Sequence, residues 1–436
     1  MTNTMETRKQ VVVAGLGMTG QACLRFLLQQ GQAVKAWDSR TSAQLPDDLS
    51  VVLEKGEVSD TFFNDVQEMV VSPGISVAHP VVEKARREGV SVIGDVELFS
   101  RYNKARLAGI TGSNGKTTVT LLTTHILNTC GLYACAAGNV GKPVLDTLGG
   151  GHDIVVLELS SFQLETVSSL PLDAACIMNI SDDHLDRHGT LAAYQAAKQR
   201  IYNNATHAVV WREQRETYPQ QADLPVTTFG LGNTAGDFGV SGGWITWQGE
   251  PVLDLARVQL TGMHNALNIQ ASLALVQTLG VKLTDAVNAV YSFSPVPHRC
   301  TVISQRFGIT WVDDSKATNI GAAIAALEGL APMVCGRIIL IAGGDAKGAD
   351  LTQLAPALKH YVAELITLGR DGKSIAALHA PSEHVGTMKE AVAAARRKAA
   401  SGDMVLLSPA CSSLDMFDNY EHRAAQFARE IEELAA

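Results

Sequence analysis

At 436 residues the chain is too long for one compact domain, and ordinary domain sizes imply about three. A hydrophobic share of 46% with 18% charged residues excludes a disordered chain, and a formal net charge of −9 gives no electrostatic reason to expect nucleic acid or an anionic membrane as partner. Seven scattered cysteines without a Cys-x-x-Cys pair read as reduced packing thiols. With no apolar run near the roughly 18 residues of a membrane span and no signal-peptide region in Met1 to Gln10, a cytoplasmic protein is expected.

The first predicted strand, Val11 to Ala14, runs into Gly15-Leu16-Gly17-Met18-Thr19-Gly20 and an amphipathic helix over Gln21 to Gln30. A second strand, Ala33 to Trp37, ends on Asp38, the layout of a dinucleotide-binding unit with the acid placed for a ribose hydroxyl. A tight βα turn without a ligand has the same spacing, so the pattern alone leaves both open. Another strand, Glu68 to Ser72, stops at Pro73-Gly74 on the same predicted sheet edge.

The chain turns polar over Arg101 to Arg106, which sets a domain boundary near residue 105. Strand Ala105 to Ile110 then meets Gly112-Ser113-Asn114-Gly115-Lys116-Thr117-Thr118 and a helix-compatible run, Val119 to Asn128. A strand, a glycine turn and a helix start form a phosphate cradle. In it Lys116 would neutralise the outer phosphates and the Thr117 hydroxyl would hold Mg²⁺. The strict P-loop pattern wants glycine where this chain has Ile110.

Two further strands end in metal-binding chemistry. Ile154 to Leu159 carries Glu158, and Ala174 to Ile180 leads into Ser181-Asp182-Asp183-His184-Leu185-Asp186. Glu158 and His184 could hold a divalent cation beside the phosphates, with Thr117 as a further ligand. Helix Leu191 to Tyr202 places Lys198 on its apolar stripe, where the amine either snorkels to the surface or sits in a site as an easily deprotonated nucleophile.

Ala208 to Gln259 is turn-rich and alternating, and is predicted as β-hairpins of a peripheral sheet. The helix opened by Gly262-Met263-His264 carries Asn265 and Asn268 one turn apart, for capping or for reading a nucleotide base. A second boundary falls at the stiff connector Pro295-Val296-Pro297-His298-Arg299. Beyond it, strands Ile309 to Val312, Ile338 to Ala342, Glu364 to Leu368 and Met404 to Leu407 carry polar loops to one rim, bringing Lys316, Lys347, Arg370 and hydroxyls together for an anionic substrate.

These motifs together resemble those of the Mur ligases over nearly the whole chain. The resemblance is carried by the phosphate loop, the Glu158 and His184 segments, His264-Asn265 with Asn268, Pro297-His298-Arg299, and Asp314-Ser315-Lys316-Ala317-Thr318-Asn319. The Ile110 departure is shared by that family's pattern. The resemblance implies an α/β chain of three domains. Residues 1–104 would form a Rossmann-like UDP-substrate domain and residues 105–297 a P-loop ATP domain with a peripheral β-sheet. Residues 298–436 would form a Rossmann-like amino-acid domain.

For function the resemblance implies an ATP-dependent ligase of peptidoglycan precursor synthesis. It would add D-glutamate to UDP-N-acetylmuramoyl-L-alanine through an acyl phosphate and a tetrahedral intermediate, releasing ADP and phosphate. The UDP substrate would meet Met18, Thr19, Asp38, Ser39, Arg40 and Gly74, with Asn139, Gln163 and His184 at its muramoyl-alanine end. ATP would meet Gly112, Ser113, Asn114, Gly115, Lys116, Thr117, Thr118 and Asn268, with Arg299, Asp314 and Lys316 reaching in from the third domain.

D-glutamate would meet Thr318, Lys347, Ser413, Leu414 and Tyr420, the last a larger polar ring than the Phe common there. Two Mg²⁺ ions would be held by Thr117, Glu158, His184 and Lys198, the lysine as a carbamate made from CO₂. Lys116, Lys198, His184 and Arg299 are the expected catalytic residues of a monomeric enzyme.

Three other readings compete: another Mur or folylpolyglutamate-type ligase, an NAD-dependent dehydrogenase built on Gly15 to Asp38, and a P-loop switch. The last lacks a guanine-reading Asn-Lys-x-Asp, because Asn103-Lys104 continues as Ala105-Arg106.

Overall fold

A computed structural model describes residues 9–232, 237–260, 262–294, 298–331 and 334–434. Most of the polar lead-in Met1 to Gln10, and the Pro295-Val296-Pro297 connector, lie outside them. The described chain forms three largely parallel sheets and one small antiparallel sheet.

The first sheet orders its strands β3-β2-β1-β4-β5, from β1 (Gln10–Ala14), β2 (Val34–Asp38), β3 (Val52–Lys55), β4 (Val66–Val71) and β5 (Ser91–Gly94), all parallel. Val11, Val12, Val13 and Ala14 are buried on both faces, as a central parallel strand requires. The helix Met18–Gln29 packs against this sheet through Cys23, Leu24 and Leu27. Its Gly20 is obligatory, because a Cβ there would lie 1.7 Å from the Gly15 carbonyl oxygen.

The second sheet orders β11-β10-β9-β6-β8-β7. Its strands are β6 (Arg106–Thr111), β7 (Ala134–Gly138), β8 (Ile154–Glu158), β9 (Ala174–Ile177), β10 (Ala208–Trp211) and β11 (Val226–Phe229). The hairpin expectation for Ala208 to Gln259 is therefore only partly right. β10 and β11 pair parallel inside the central sheet, whereas β12 (Phe238–Ser241), β13 (Trp244–Trp247) and β14 (Glu250–Asp254) form the three-stranded antiparallel sheet. The reason is in the side chains. Ala208, Val209 and Val210 are all buried, so this strand has no polar face to alternate with.

Helices Lys116–Thr129 and Met263–Thr278 pack against each other and on this sheet. The second of them buries apolar residues all round its middle, from Ala271 to Val276, because it lies between the sheet and its neighbour helices.

The third sheet runs β15-β16-β20-β17-β18-β19. It comprises β15 (Thr301–Arg306), β16 (Ile309–Asp313), β17 (Ile338–Gly343), β18 (Val362–Leu368), β19 (Ser382–His384) and β20 (Met404–Leu407), with only β15 antiparallel. Its two faces are covered by separate clusters, one around Leu340, Leu358 and Leu406 and one around Trp311, Ile341 and Phe427. Each fully buried aliphatic side chain there contributes about 1.5–3 kcal/mol, which fixes the rim from which the loops project. Among the described residues no helix is long and apolar enough to cross a membrane.

Candidate active site

The phosphate loop follows from β6. Gly115 sits at φ 84°, and a Cβ on it would come within 2.5 Å of Asn268 Oδ1, so only glycine lets the loop turn into the helix here. Asn114 N–H donates to Asn179 Oδ1 at 2.8 Å, and Ser113 Oγ donates to the Ser181 carbonyl at 3.0 Å. The loop is thereby braced against the segment that carries His184.

Two lysines converge on this loop. Lys116 Nζ donates to the carbonyls of Gly112 (2.7 Å) and Ser113 (2.9 Å), and Lys198 Nζ donates to the same Gly112 carbonyl at 2.9 Å. Lys198 is 1% exposed and lies 4.4 Å from the centre of the Tyr194 ring, so the snorkelling alternative is excluded. Burial, and then the charge of Lys116, push its pKa well below the ordinary lysine value. Burial lowers that of Lys116 as well, against the pull of Glu158. With both amines on one carbonyl, the charge of Lys116 stands in want of an anion.

Glu158 ends β8 at the same place. Its Oε1 accepts from Asn139 Nδ2 at 2.6 Å, while Oε2 is buried without a hydrogen-bond partner among the described residues. A buried carboxylate oxygen left over is what a cation ligand looks like before the cation arrives. His184 sits at φ 53°, and burial lowers its pKa to about 4, so the imidazole is neutral and free to ligate. Among the described residues no three His, Cys, Asp or Glu side chains form a ready metal cluster. The donors that fit Mg²⁺ are Glu158, His184 and Thr117, and completing the shell needs oxygens from phosphate or from a modified Lys198.

Two cavities touch this region, one through Asn139 and the other through the loop itself. One, about 480 Å³, is walled by Met18, Thr19, Asp38, Ser39, Arg40 and Gly74 from the first sheet and by Asn139 and Gln163 from the second. His184 is not on its wall. Asp38 is tied into the glycine turn on that wall. Its Oδ2 accepts from Leu16 N–H (2.7 Å) and Arg40 Nη2 (2.9 Å), and its Oδ1 from Arg40 N–H and Nε (2.9 Å each). The Arg40 guanidinium, against burial and with backbone bonds from Arg40 and Leu16, holds its pKa down to about 2. With its acceptor positions filled, Asp38 fixes the glycine turn and leaves the exposed Arg40 to face a ligand.

The other cavity, about 450 Å³, lies between the second and third sheets. Asn114, Gly115, Thr118, Asn268, Arg299, Asp314 and Lys316 reach its wall, whereas Gly112, Ser113, Lys116 and Thr117 lie behind it. Asn268 Nδ2 donates to Asn265 Oδ1 at 3.0 Å, and the residue at the helix N-cap is Gly262. Burial raises the pKa of Asp314 to about 7 and lowers that of Lys316 to about 8. The Lys316 ammonium sits 3.8 Å from the centre of the Tyr420 ring.

The third-sheet loops place Thr318, Ser413, Leu414 and Tyr420 on the same rim, Ser413 buried and Leu414 71% exposed. Lys347, at φ 53°, reaches across to pair with Asp183. Asp183 Oδ2 also accepts from Asn319 Nδ2 at 3.2 Å, and Asn319 Nδ2 donates to Asn114 Oδ1 at 3.0 Å. Burial pushes the Asp183 carboxyl up, but Lys347, His184 and Lys116 together bring it below the ordinary aspartate value. Asp183 was not singled out from the sequence, although its place beside His184 carried a signal.

Comparison with known proteins follows the same division. The N-terminal domain profile of MurD-like Mur ligases matches residues 9–94, the Mur ligase middle domain matches 110–276, and the Mur ligase glutamate ligase domain matches 298–411. A UDP-N-acetylmuramoylalanine–D-glutamate ligase of Idiomarina loihiensis is 42% identical, with 98% of each chain covered. One from Shewanella oneidensis is 42% identical over 99% of each chain. Among solved structures, MurF ligase from Thermotoga maritima in complex with ADP has the same fold, with a TM-score of 0.64 at 17% identity over 99% of this chain and 97% of that one.

Proposed function

The chain belongs to the Mur ligase family, and on that premise we propose that it is the ATP-dependent ligase that joins D-glutamate to UDP-N-acetylmuramoyl-L-alanine in peptidoglycan precursor synthesis. The observation that carries this reading is the pair of lysines on the Gly112 carbonyl, in a loop whose Asn114, Gly115 and Thr118 wall one cavity of about 450 Å³, while Asn139, the partner of Glu158, walls another of about 480 Å³. One cavity would take the UDP-linked substrate and the other ATP, so that the alanyl carboxylate and the γ-phosphate meet at Lys116 and Lys198.

An amide does not form from a carboxylate and an ammonium at neutral pH without activation. The alanyl carboxylate oxygen attacks the γ-phosphorus of ATP, the bond to the bridging oxygen breaks, and ADP leaves with that electron pair. Two anions must approach each other, and Lys116 with Arg299 and Lys316 removes their repulsion. Thr117, Glu158, His184 and Lys198 as its carbamate would hold two Mg²⁺ ions, which would supply further neutralisation of phosphate charge. A neutral buried Lys198 amine is the form that adds CO₂, losing one proton as the carbamate forms.

The free amine of D-glutamate then attacks the acyl phosphate, giving a tetrahedral intermediate that expels phosphate. Thr318, Lys347, Ser413, Leu414 and Tyr420 would hold the amino acid, Lys347 trading Asp183 for a substrate carboxylate. The domains are assigned as residues 1–104 for the UDP substrate, 105–297 for ATP and 298–436 for the amino acid. The enzyme is taken as a cytoplasmic monomer. A substrate whose alanyl carboxylate bears heavy oxygen tests the route. The label should appear in the released phosphate, with a product heavier by one glutamyl unit, and unlabelled phosphate would contradict the acyl phosphate.

A further inference from the structure

The helix Tyr420–Glu432 starts at the rim of the third sheet, and its first turn faces the site. Tyr420 lies against Lys316, and Arg423, three residues on, is 2% exposed. The Arg423 guanidinium donates to two backbone carbonyls, Nη1 to Cys411 at 3.1 Å and Nη2 to Ser315 at 2.8 Å. Its Nε is buried with no hydrogen-bond partner among the described residues. A buried cation with part of its fork unsatisfied costs stability that an apolar side chain of like volume would not. Position, more than stability, accounts for an arginine here.

The two carbonyls belong to two different loops of the site. Ser315 precedes Lys316, and Cys411 opens the run to Ser413 and Leu414. That run is tied on its other side to the Lys347 loop, Asp345 N–H donating to the Ser412 carbonyl (3.0 Å) and Ser412 N–H to the Asp345 carbonyl (2.8 Å). Ala410, just before it, is held at φ 59°, a conformation that L-residues rarely adopt without support. Ser315 is held in turn by Asp313 Oδ1, which accepts from its N–H at 2.9 Å and its hydroxyl at 2.5 Å. Asp313 Oδ2 lies 2.6 Å from Nδ1 of His298, the neighbour of Arg299.

We propose that Arg423 is a positioning residue for the amino-acid subsite, its guanidinium clamping the Cys411–Leu414 run to the Asp313–Lys316 loop. The contacts made by Ser413 and Leu414 are then set at a fixed separation from the Lys316 ammonium. This rests on the ligase reading above.

The test compares wild type with Arg423→Met, which keeps volume without the fork, and Arg423→Lys, which keeps charge without the fork. Wild-type phosphate release on D-glutamate, measured first, tests the ligase reading separately. In Arg423→Met the KM for D-glutamate should rise about tenfold or more, because small misplacements in a subsite carry large kinetic losses. The KM for the UDP substrate should stay within about twofold, since that pocket lies on the first sheet. Arg423→Lys should restore only part of the loss.

A D-glutamate KM within about twofold of wild type, with kcat alone reduced, is the pattern of a smaller active fraction and would overturn the role. Should Arg423→Met fail to fold, Arg423→Lys decides: a raised D-glutamate KM supports the clamp, and a wild-type value overturns it.

Discussion

The chemistry of this site rests on how few groups share a small space. Lys116 and Lys198 meet at one carbonyl, and one Glu158 oxygen beside them has no partner among the described residues. Replacing Lys116 by alanine should lower phosphate release by a factor on the order of 10² to 10³ or more, the usual loss for a preorganised charge partner of the transition state. Turnover near the wild-type rate would remove Lys116 from that role. Lys198→Ala should be inactive and should regain part of its activity with a short carboxylic acid, whose carboxylate stands in for the carbamate. Assays across a series of such acids measure this, and no recovery with any of them would leave the amine itself as the required group.

Lys116 and Glu158 stood out in the sequence because one opens a predicted helix and the other ends a predicted strand, and His184 because its loop directly follows a strand. Lys198 was legible only as a choice, since the periodicity that places it on an apolar stripe does not say whether the amine escapes. Asp38 was legible only in part. Its spacing is that of a ribose acid, but its partner Arg40, two residues on, fills the carboxylate first.

At the scale of elements, alternation of strand and helix gave away the parallel sheets, and the phosphate loop could be placed to within a few residues. The misassigned stretch was Ala208 to Gln259, where short strands of a parallel sheet and of a hairpin sheet follow one another with no change in composition. Contacts between elements were illegible. The pairing of Asp95 with Gln163, across the first and second sheets, joins residues far apart in sequence, Gln163 Nε2 donating to Asp95 Oδ2 at 3.3 Å.

Burial raises the Asp95 pKa to about 6, and its Oδ1 has no partner among the described residues. An unfolded aspartate titrates near 3.9, so the folded state binds more protons between about pH 4 and pH 6. Stability therefore falls as pH rises through that window, and the penalty is complete above it. Asp95→Asn keeps an acceptor for Gln163 without the charge. It should raise stability by on the order of 2 kcal/mol at about pH 8 and by little at about pH 4. Denaturant unfolding at both pH values checks this, and an equal change at both would contradict a charge effect.

In the whole molecule, the third sheet is held over the second by a small set of polar contacts. Asn319 Nδ2 reaches Asn114 and Asp183, Lys347 reaches Asp183, and Gln353 Nε2 reaches Asp182 Oδ2 at 2.9 Å. Contacts of this kind contribute about 1 kcal/mol each, enough to favour a closed arrangement and too little to lock it. Asn319→Asp keeps the helix cap, since its oxygen still accepts from Ala322 N–H, but sets a carboxylate against Asp183. It should stay folded, show a larger radius of gyration by X-ray scattering, and turn over about tenfold more slowly. Unchanged scattering and rate would mean that these contacts do not govern closure.

On the proposed reading the loop from Gly112 to Thr118 is the middle station of three, with a pocket for the UDP substrate before it and a rim for the amino acid after it. Initial rates of phosphate release, with ATP and UDP-N-acetylmuramoyl-L-alanine held constant and a panel of D- and L-amino acids varied, test that account most directly. The expected result is release with D-glutamate and little with L-glutamate, L-alanine or L-lysine. No release with D-glutamate, or a preference for another amino acid, would contradict it.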